Sequence, residues 1–149
     1  MLITKDVWGK PFWFAIHVAA ASYPNCPTAE QRRKKQQFYR SMVDGIPCGE
    51  CAYHYLQMFE DSFDASSRYN LFKWTVDIHN RVNIRLGKPV MDLKDAMELY
   101  NVPNEECNHP IGAEYSQKLL LMSAILALIF IAVIVFVLFK KSSSRIKNN

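Results

Sequence analysis

The apolar positions fall into two regimes. From Leu119 to Phe139 every residue is apolar except Ser123, with no charge, Pro or Gly. Twenty-one residues at roughly 1.5 Å each span about 30 Å, the thickness of a hydrocarbon core. A buried core helix normally keeps a polar stripe, and this stretch has none, so the pattern predicts a transmembrane helix over 119–139. Upstream, apolar residues recur three and four apart between polar ones. No alternating β-branched run or Asn-Gly or Asp-Gly turn is present.

Breakers and caps divide that upstream region into helices. The first is expected from about Lys10 to Ser22, with Pro11 in its first turn, ending before the double-proline segment Tyr23–Pro27. Thr28-Ala29-Glu30-Gln31 reads as a capping box that opens a second helix to about Val43, burying Phe38 and Met42. Pro47 precedes a third, from Cys48 to about Phe59. A fourth runs from about Ser66 to Leu86, stopped by Gly87 and Pro89. Asp92 caps a short fifth helix ending near Leu99. The expectation is an all-α four-helix bundle with a short fifth helix over residues 1–103, a linker over 104–118, the membrane helix, and a basic tail over 140–149.

The formal charge of +4 changes meaning once located. Residues 1–117 hold all 14 Asp and Glu and 13 of the 18 Lys and Arg, leaving them almost neutral. The excess is Lys118, Lys140, Lys141, Arg145 and Lys147, which flank the apolar run. This is membrane-flank charge and gives no basic face for nucleic acid. Arg32-Arg33-Lys34-Lys35 reads as a solvated helix face. The basic tail favours a cytosolic tail and an outside domain. Against that, residues 1–6 offer no apolar leader core, and a domain translated before its C-terminal anchor stays in the cytosol. The domain is therefore expected to face the cytosol.

Candidate chemistry begins with Cys48-Gly49-Glu50-Cys51 at the expected start of the third helix. Free N–H groups there favour thiolate, and a three-residue separation lets the sulfurs cycle between dithiol and disulfide. Alone, the pair is ambiguous. A thioredoxin-like site needs a preceding strand, and none is visible. A zinc site can be completed from His54, His79, Cys107 and His109. An inert pair is the third reading.

Further residues shift the balance. Trp8-Gly9, Trp13-x-x-x-His17, Tyr23-Pro24 and Pro47-Cys48-x-x-Cys51 precede His79-Asn80-x-Val82-Asn83-x-x-Leu86-Gly87-Lys88-Pro89, eight defined residue types at fixed offsets. Over roughly Trp8 to Tyr100 the chain resembles the Erv/ALR family of FAD-linked sulfhydryl oxidases, and its size and single anchor resemble the short versions of large cytoplasmic DNA viruses. The resemblance implies non-covalent FAD, a homodimer, and transfer of electrons from a dithiol through Cys48–Cys51 to FAD and then O₂, giving H₂O₂. It places Cys51 against the isoalloxazine and leaves Cys48 to exchange with the incoming dithiol. It makes Trp13, His17, His79, Asn80, Val82 and Asn83 cofactor contacts, Lys88 a phosphate contact and Tyr100 an aromatic on the cofactor's far side. Gly9 and Lys10 line the entrance by position. His54, one turn beyond Cys51, stacks near the flavin or tunes the thiolate. No metal is expected. A virion membrane is one location the viral resemblance suggests.

Two departures matter. The positions of a further family disulfide read here as Val76 and Leu93, so that staple is missing, consistent with a reducing cytosol. The second pair of cysteines that often shuttles electrons is also absent. Cys26 and Cys107 are left as a structural bond, as free thiols, or with Cys107 as half a shuttle. Without a shuttle pair, the expected electron donor is a separate small dithiol protein, thioredoxin-like or carrying its own C-x-x-C. The rivals from other classes are a zinc-stabilised helical binding module at the membrane and a non-catalytic membrane adaptor.

Overall fold

The computed structural model describes residues 3–105, Cys107 and 113–147, with side chains in the last segment from Lys118 to Phe136. Its helices are α1 (Lys5–Ala21), α2 (Ala29–Ser41), α3 (Gly49–Ser62), α4 (Arg68–Arg85), α5 (Leu93–Leu99) and α6 (Ala113–Lys147), with a 3₁₀ turn at Met42–Gly45. No strand occurs among the described residues. They form two compact units, Met1–Asn108 and His109–Asn149.

In the first unit α1 packs chiefly on α4, α3 touches α2 and α4, and α5 returns to α4. The core is largely aromatic: Tyr39, Phe72, Ile16, Leu71 and Ile78 are fully enclosed, and Trp74 is caged edge-on by Tyr39, Phe59 and Phe63. Two tyrosine hydroxyls cross-brace the helices. Tyr39 donates to the carbonyl of Ile16 at 2.8 Å, and Tyr55 donates to the carbonyl of Tyr39 at 2.7 Å. Burial pushes both phenols well above their ordinary range, so they stay protonated donors.

The caps explain the boundaries. Thr28 and Gln31 make the full capping box, at 3.2 and 2.8 Å. Ser67 and Asp92 each accept one free N–H of α4 and α5. At the C-terminus of α4, Lys88 N–H reaches the Asn83 carbonyl at 2.8 Å and Gly87 N–H that of Ile84 at 3.1 Å. This Schellman closure needs the left-handed backbone that Gly87 adopts at φ 63°. Asn101, at φ 51°, closes α5 in the same way, with Val102 N–H bonded to the Met97 carbonyl. These two turns set where Lys88 and Tyr100 leave their helices.

Several sequence expectations are corrected. α1 begins at Lys5 rather than Lys10, because Thr4 is extended and its carbonyl accepts from Val7 and Trp8. Pro11 therefore lies inside the helix, on its exposed side. Tyr39, and not Phe38, is the buried aromatic of α2; Phe38 is 42% exposed, with the Lys35 ammonium near its ring. Val76 is buried and Leu93 half-buried against the core, so apolar side chains occupy both positions of the missing staple.

The two remaining cysteines are joined: Cys26, between α1 and α2, is bonded to Cys107, 81 residues on. This selects the structural reading of that pair. In the second unit α6 starts inside the segment expected to be linker and continues through the expected tail to Lys147, since no Pro or Gly interrupts 113–147. Its stretch Lys118–Phe136 is long and apolar enough to cross a membrane and exposes its side chains all round.

Cross-linking the unfolded chain across so long a loop stabilises the fold by about 2–5 kcal/mol. Cys26→Ser in the full chain is expected to lower the unfolding free energy by that amount in denaturant titration. A loss of under 1 kcal/mol means the bond does not restrain the unfolded chain.

Candidate functional site

A cavity of about 970 Å³ opens among α1, α3, α4 and the segment after α4. α1 supplies Gly9, Lys10, Trp13, Phe14 and His17; α3 supplies Glu50, Cys51, His54, Tyr55 and Met58; α4 supplies His79, Val82, Asn83 and Arg85. Leu86, Lys88, Met91 and Tyr100 complete the far wall. The size suits one large organic ligand.

Cys48 and Cys51 form a disulfide at the start of α3. Cys48 is the N-cap, and its sulfur accepts the Cys51 N–H at 3.3 Å. Both sulfurs thus sit at the positive end of a helix, where a developing thiolate is stabilised. Both residues are half-buried, but they face different surroundings: Cys51 lines the cavity and Cys48 does not. A two-electron change at the pair therefore has an inner and an outer sulfur. His54 faces the same cavity, and its Nε2 lies 3.6 Å from Glu50 Oε1, which Arg85 also approaches at 3.5 Å. These pairs are solvent-exposed and contribute little stability.

The opposite wall is aromatic. Trp13 stacks on His79 at 4.1 Å with 6° between the planes, and His17 lies 5.4 Å from Tyr100. His17 Nε2 and His79 Nδ1 are 2.9 Å apart. Burial first, then His79 for His17 and Lys88 for His79, lowers both imidazoles to about 4, so both are neutral at physiological pH. Lys10 and Lys88 bring positive charge to the rim.

Of the residues expected from sequence, the cavity gathers Gly9, Lys10, Trp13, His17, Cys51, His54, His79, Val82, Asn83, Lys88 and Tyr100. Asn80 departs from expectation. Its carboxamide donates to the Met91 carbonyl at 2.8 Å and accepts the Met91 N–H at 2.9 Å, so it fastens the post-α4 segment and does not line the cavity. Sequence reasoning missed Phe14, Arg85 and Met91 on the walls, and Thr75, whose hydroxyl meets His17 at 3.0 Å. Thr75 was findable in principle, lying one helical turn before His79 on the same face. Among the described residues no three His, Cys, Asp or Glu side chains gather to hold a metal; His109, which the zinc reading drew on, lies outside them.

Residues 10–101 match the model of the Erv1 / Alr family. A protein of Invertebrate iridescent virus 3 is 35% identical over 106 residues, covering 69% of this chain and 72% of its own. The FAD-linked sulfhydryl oxidase ERV2 of Saccharomyces cerevisiae is 35% identical over 100 residues, covering 66% of this chain and 50% of its own. The crystal structure of the FAD-binding domain of Erv1 from Saccharomyces cerevisiae superposes with a TM-score of 0.62 at 30% identity, covering 66% of this chain and 94% of that one.

The imidazole shifts have a definite sign. In the unfolded chain His17 and His79 take up protons near pH 6.5, but in the fold only near pH 4. Their contribution to stability is therefore complete above pH 6.5, falls as pH drops from 6.5 to 4, and is constant below. Urea midpoints measured across that window are expected to decline in the wild type and to decline less in a His17→Gln/His79→Gln variant. Parallel curves would show that the pair is not held neutral.

Proposed function

The chain belongs to the Erv1/Alr family, and we propose that it is an FAD-linked sulfhydryl oxidase that makes disulfides in a dithiol partner with O₂ as acceptor. The single observation that carries the reading is the sidedness of the redox pair: a helix-capping disulfide with Cys51 on a large cavity and Cys48 off it.

The residues present fit FAD. Trp13, His79 and Tyr100 offer flat surfaces for ring systems, Val82, Met58 and Leu86 an apolar lining, and Lys10 and Lys88 cations for a pyrophosphate. We assign those roles to these residues, with Gly9 leaving open space beside the entrance, where its missing Cβ would meet nothing within 4 Å. His17 and Asn83 add polar edges. When bound, FAD supplies a two-electron acceptor for the reduced cysteine pair and a donor to O₂.

The protein's own steps are thiol exchanges. A substrate thiolate attacks Cys48 Sγ, the Cys48–Cys51 bond breaks, and Cys51 leaves as a thiolate stabilised by the first turn of α3. The second substrate thiolate attacks the substrate sulfur of the mixed disulfide, which releases oxidised substrate and Cys48 thiolate. Two electrons now reside on the pair, with Cys51 facing the cavity. We assign His54 to electrostatic tuning of that thiolate. One dithiol and one O₂ are consumed for one disulfide and one H₂O₂.

With Cys26 and Cys107 joined to each other, the donor we propose is a separate protein, either a thioredoxin-like carrier or one bearing its own C-x-x-C. We further propose that α6 anchors the enzyme in a membrane with the domain on the cytosolic side, and that the enzyme is a homodimer. Ile3, Val7, Phe14 and Val18, which fall on one side of the first helix and its lead-in, are all exposed and supply an apolar face for the second copy.

The detergent-purified full chain is expected to be yellow. Cys51→Ser is expected to keep the colour and to lose thiol-dependent H₂O₂ production by at least two orders of magnitude. A folded, colourless protein containing about one zinc per chain would replace this function with the metal-stabilised module. Val18→Glu is expected to shift the sedimenting species toward monomer; unchanged sedimentation removes this face as the dimer contact.

A further inference from the structure

Thr75 is fully buried in α4, and its hydroxyl has two neighbours: the Phe72 carbonyl at 2.7 Å and His17 Nδ1 at 3.0 Å. A carbonyl oxygen can only accept. Two oxygens 2.7 Å apart need a proton between them, so the single Thr75 proton points at Phe72. His17 Nδ1 must then be the donor to Thr75. A neutral, buried His17 has no second proton, so its Nε2 accepts from His79 Nδ1–H across 2.9 Å. Neutral His79 in turn has no proton left for its Nε2. No described group hydrogen-bonds that atom, while Trp13 stacked at 4.1 Å holds the ring flat against the cavity wall.

We propose that Thr75 is a positioning residue that sets the direction of this chain, from His79 through His17 to Thr75 and the Phe72 carbonyl, and so presents a bare Nε2 acceptor on His79 to the cofactor. The site therefore selects a ligand edge carrying an N–H or O–H donor: an adenine amino group, a ring imide or a ribose hydroxyl. The inference rests on the flavin reading above, but the arrangement of protons does not.

Replacing Thr75 by Val removes the acceptor for His17 at nearly constant volume. A buried His17 N–H facing a methyl group is costly, whereas a bare ring nitrogen there is tolerated more easily. The chain then reverses. His17 becomes Nε2–H and donates to His79 Nδ1, and His79 becomes Nε2–H, a donor meeting a donor.

The test uses the full chain in detergent with ¹⁵N-labelled histidine, flavin-loaded, as wild type, Thr75→Val and Thr75→Ser. The expected spectra show Nδ1–H on both His17 and His79 in the wild type and in Thr75→Ser, and Nε2–H on both in Thr75→Val. FAD binding is expected to weaken about three- to tenfold in Thr75→Val and to recover in Thr75→Ser. Flavin hypoxanthine dinucleotide, which carries a carbonyl in place of the adenine amino group, identifies the donor. A loss confined to FAD assigns the amino group, and an equal loss for both assigns the imide or hydroxyl. A wild-type His79 protonated at Nε2 overturns the proposal without any variant. So does Thr75→Val with unchanged protonation and FAD affinity within twofold. If the wild type binds no flavin, the cofactor reading falls, and the histidine spectra alone decide the chain of protons.

Discussion

The seam between α1 and α4 is the constraint on which the rest of the domain depends. Ile16 and Ala20 from one helix and Leu71, Phe72, Thr75 and Ile78 from the other are buried at or near zero exposure. In so closed an interface an unmatched polar atom costs about 1–3 kcal/mol, which restricts how His17 can be accommodated. Thr75 and His79 supply its two partners, both from α4. The same contact that satisfies the seam stands at the cavity wall, so the packing of the two helices and the chemistry of the pocket are set by one group of side chains.

The outer architecture was legible because its signals are local. The capping box at Thr28, the N-cap at Asp92 and the glycine stop at Gly87 each act within one helical turn, and the structure places helix ends beside all three. The place of the Cys48–Cys51 pair at the start of α3 was legible for the same reason, since C-x-x-C before a helix is a short-range pattern. What sequence reasoning missed depends on neighbours distant in the chain. Tyr39 is buried because its hydroxyl finds the Ile16 carbonyl, which no periodicity within α2 reveals. Asn80 turns to the Met91 backbone, a partner fixed by how the post-α4 segment folds back. The early start of α1 also went unseen, because Pro11 suggested a first turn while Thr4 supplied the actual boundary.

Two disulfides within one small domain occupy different settings. Cys48–Cys51 spans three residues at a helix tip, where both residues are half-buried and Cys51 adjoins the cavity. Cys26–Cys107 joins the connection between α1 and α2 to the segment after α5, 81 residues apart in sequence. The positions that lack a family staple are filled by Val76 and Leu93, so apolar packing serves there and the covalent restraint lies elsewhere. A domain that catalyses disulfide formation need not rely on an oxidising compartment to acquire its own structural bond.

The link at Cys107 has a mechanical side. Residues from Ala113 onward belong to a long helix, and any tug on that helix passes down the backbone toward the bundle. Because Cys107 is bonded to Cys26 in the turn between α1 and α2, a load arriving along the backbone is shared between that turn and the segment leading to Asn101, Tyr100 and α5. Part of any such load therefore enters the first unit at Cys26, away from the residues of the cavity's aromatic wall.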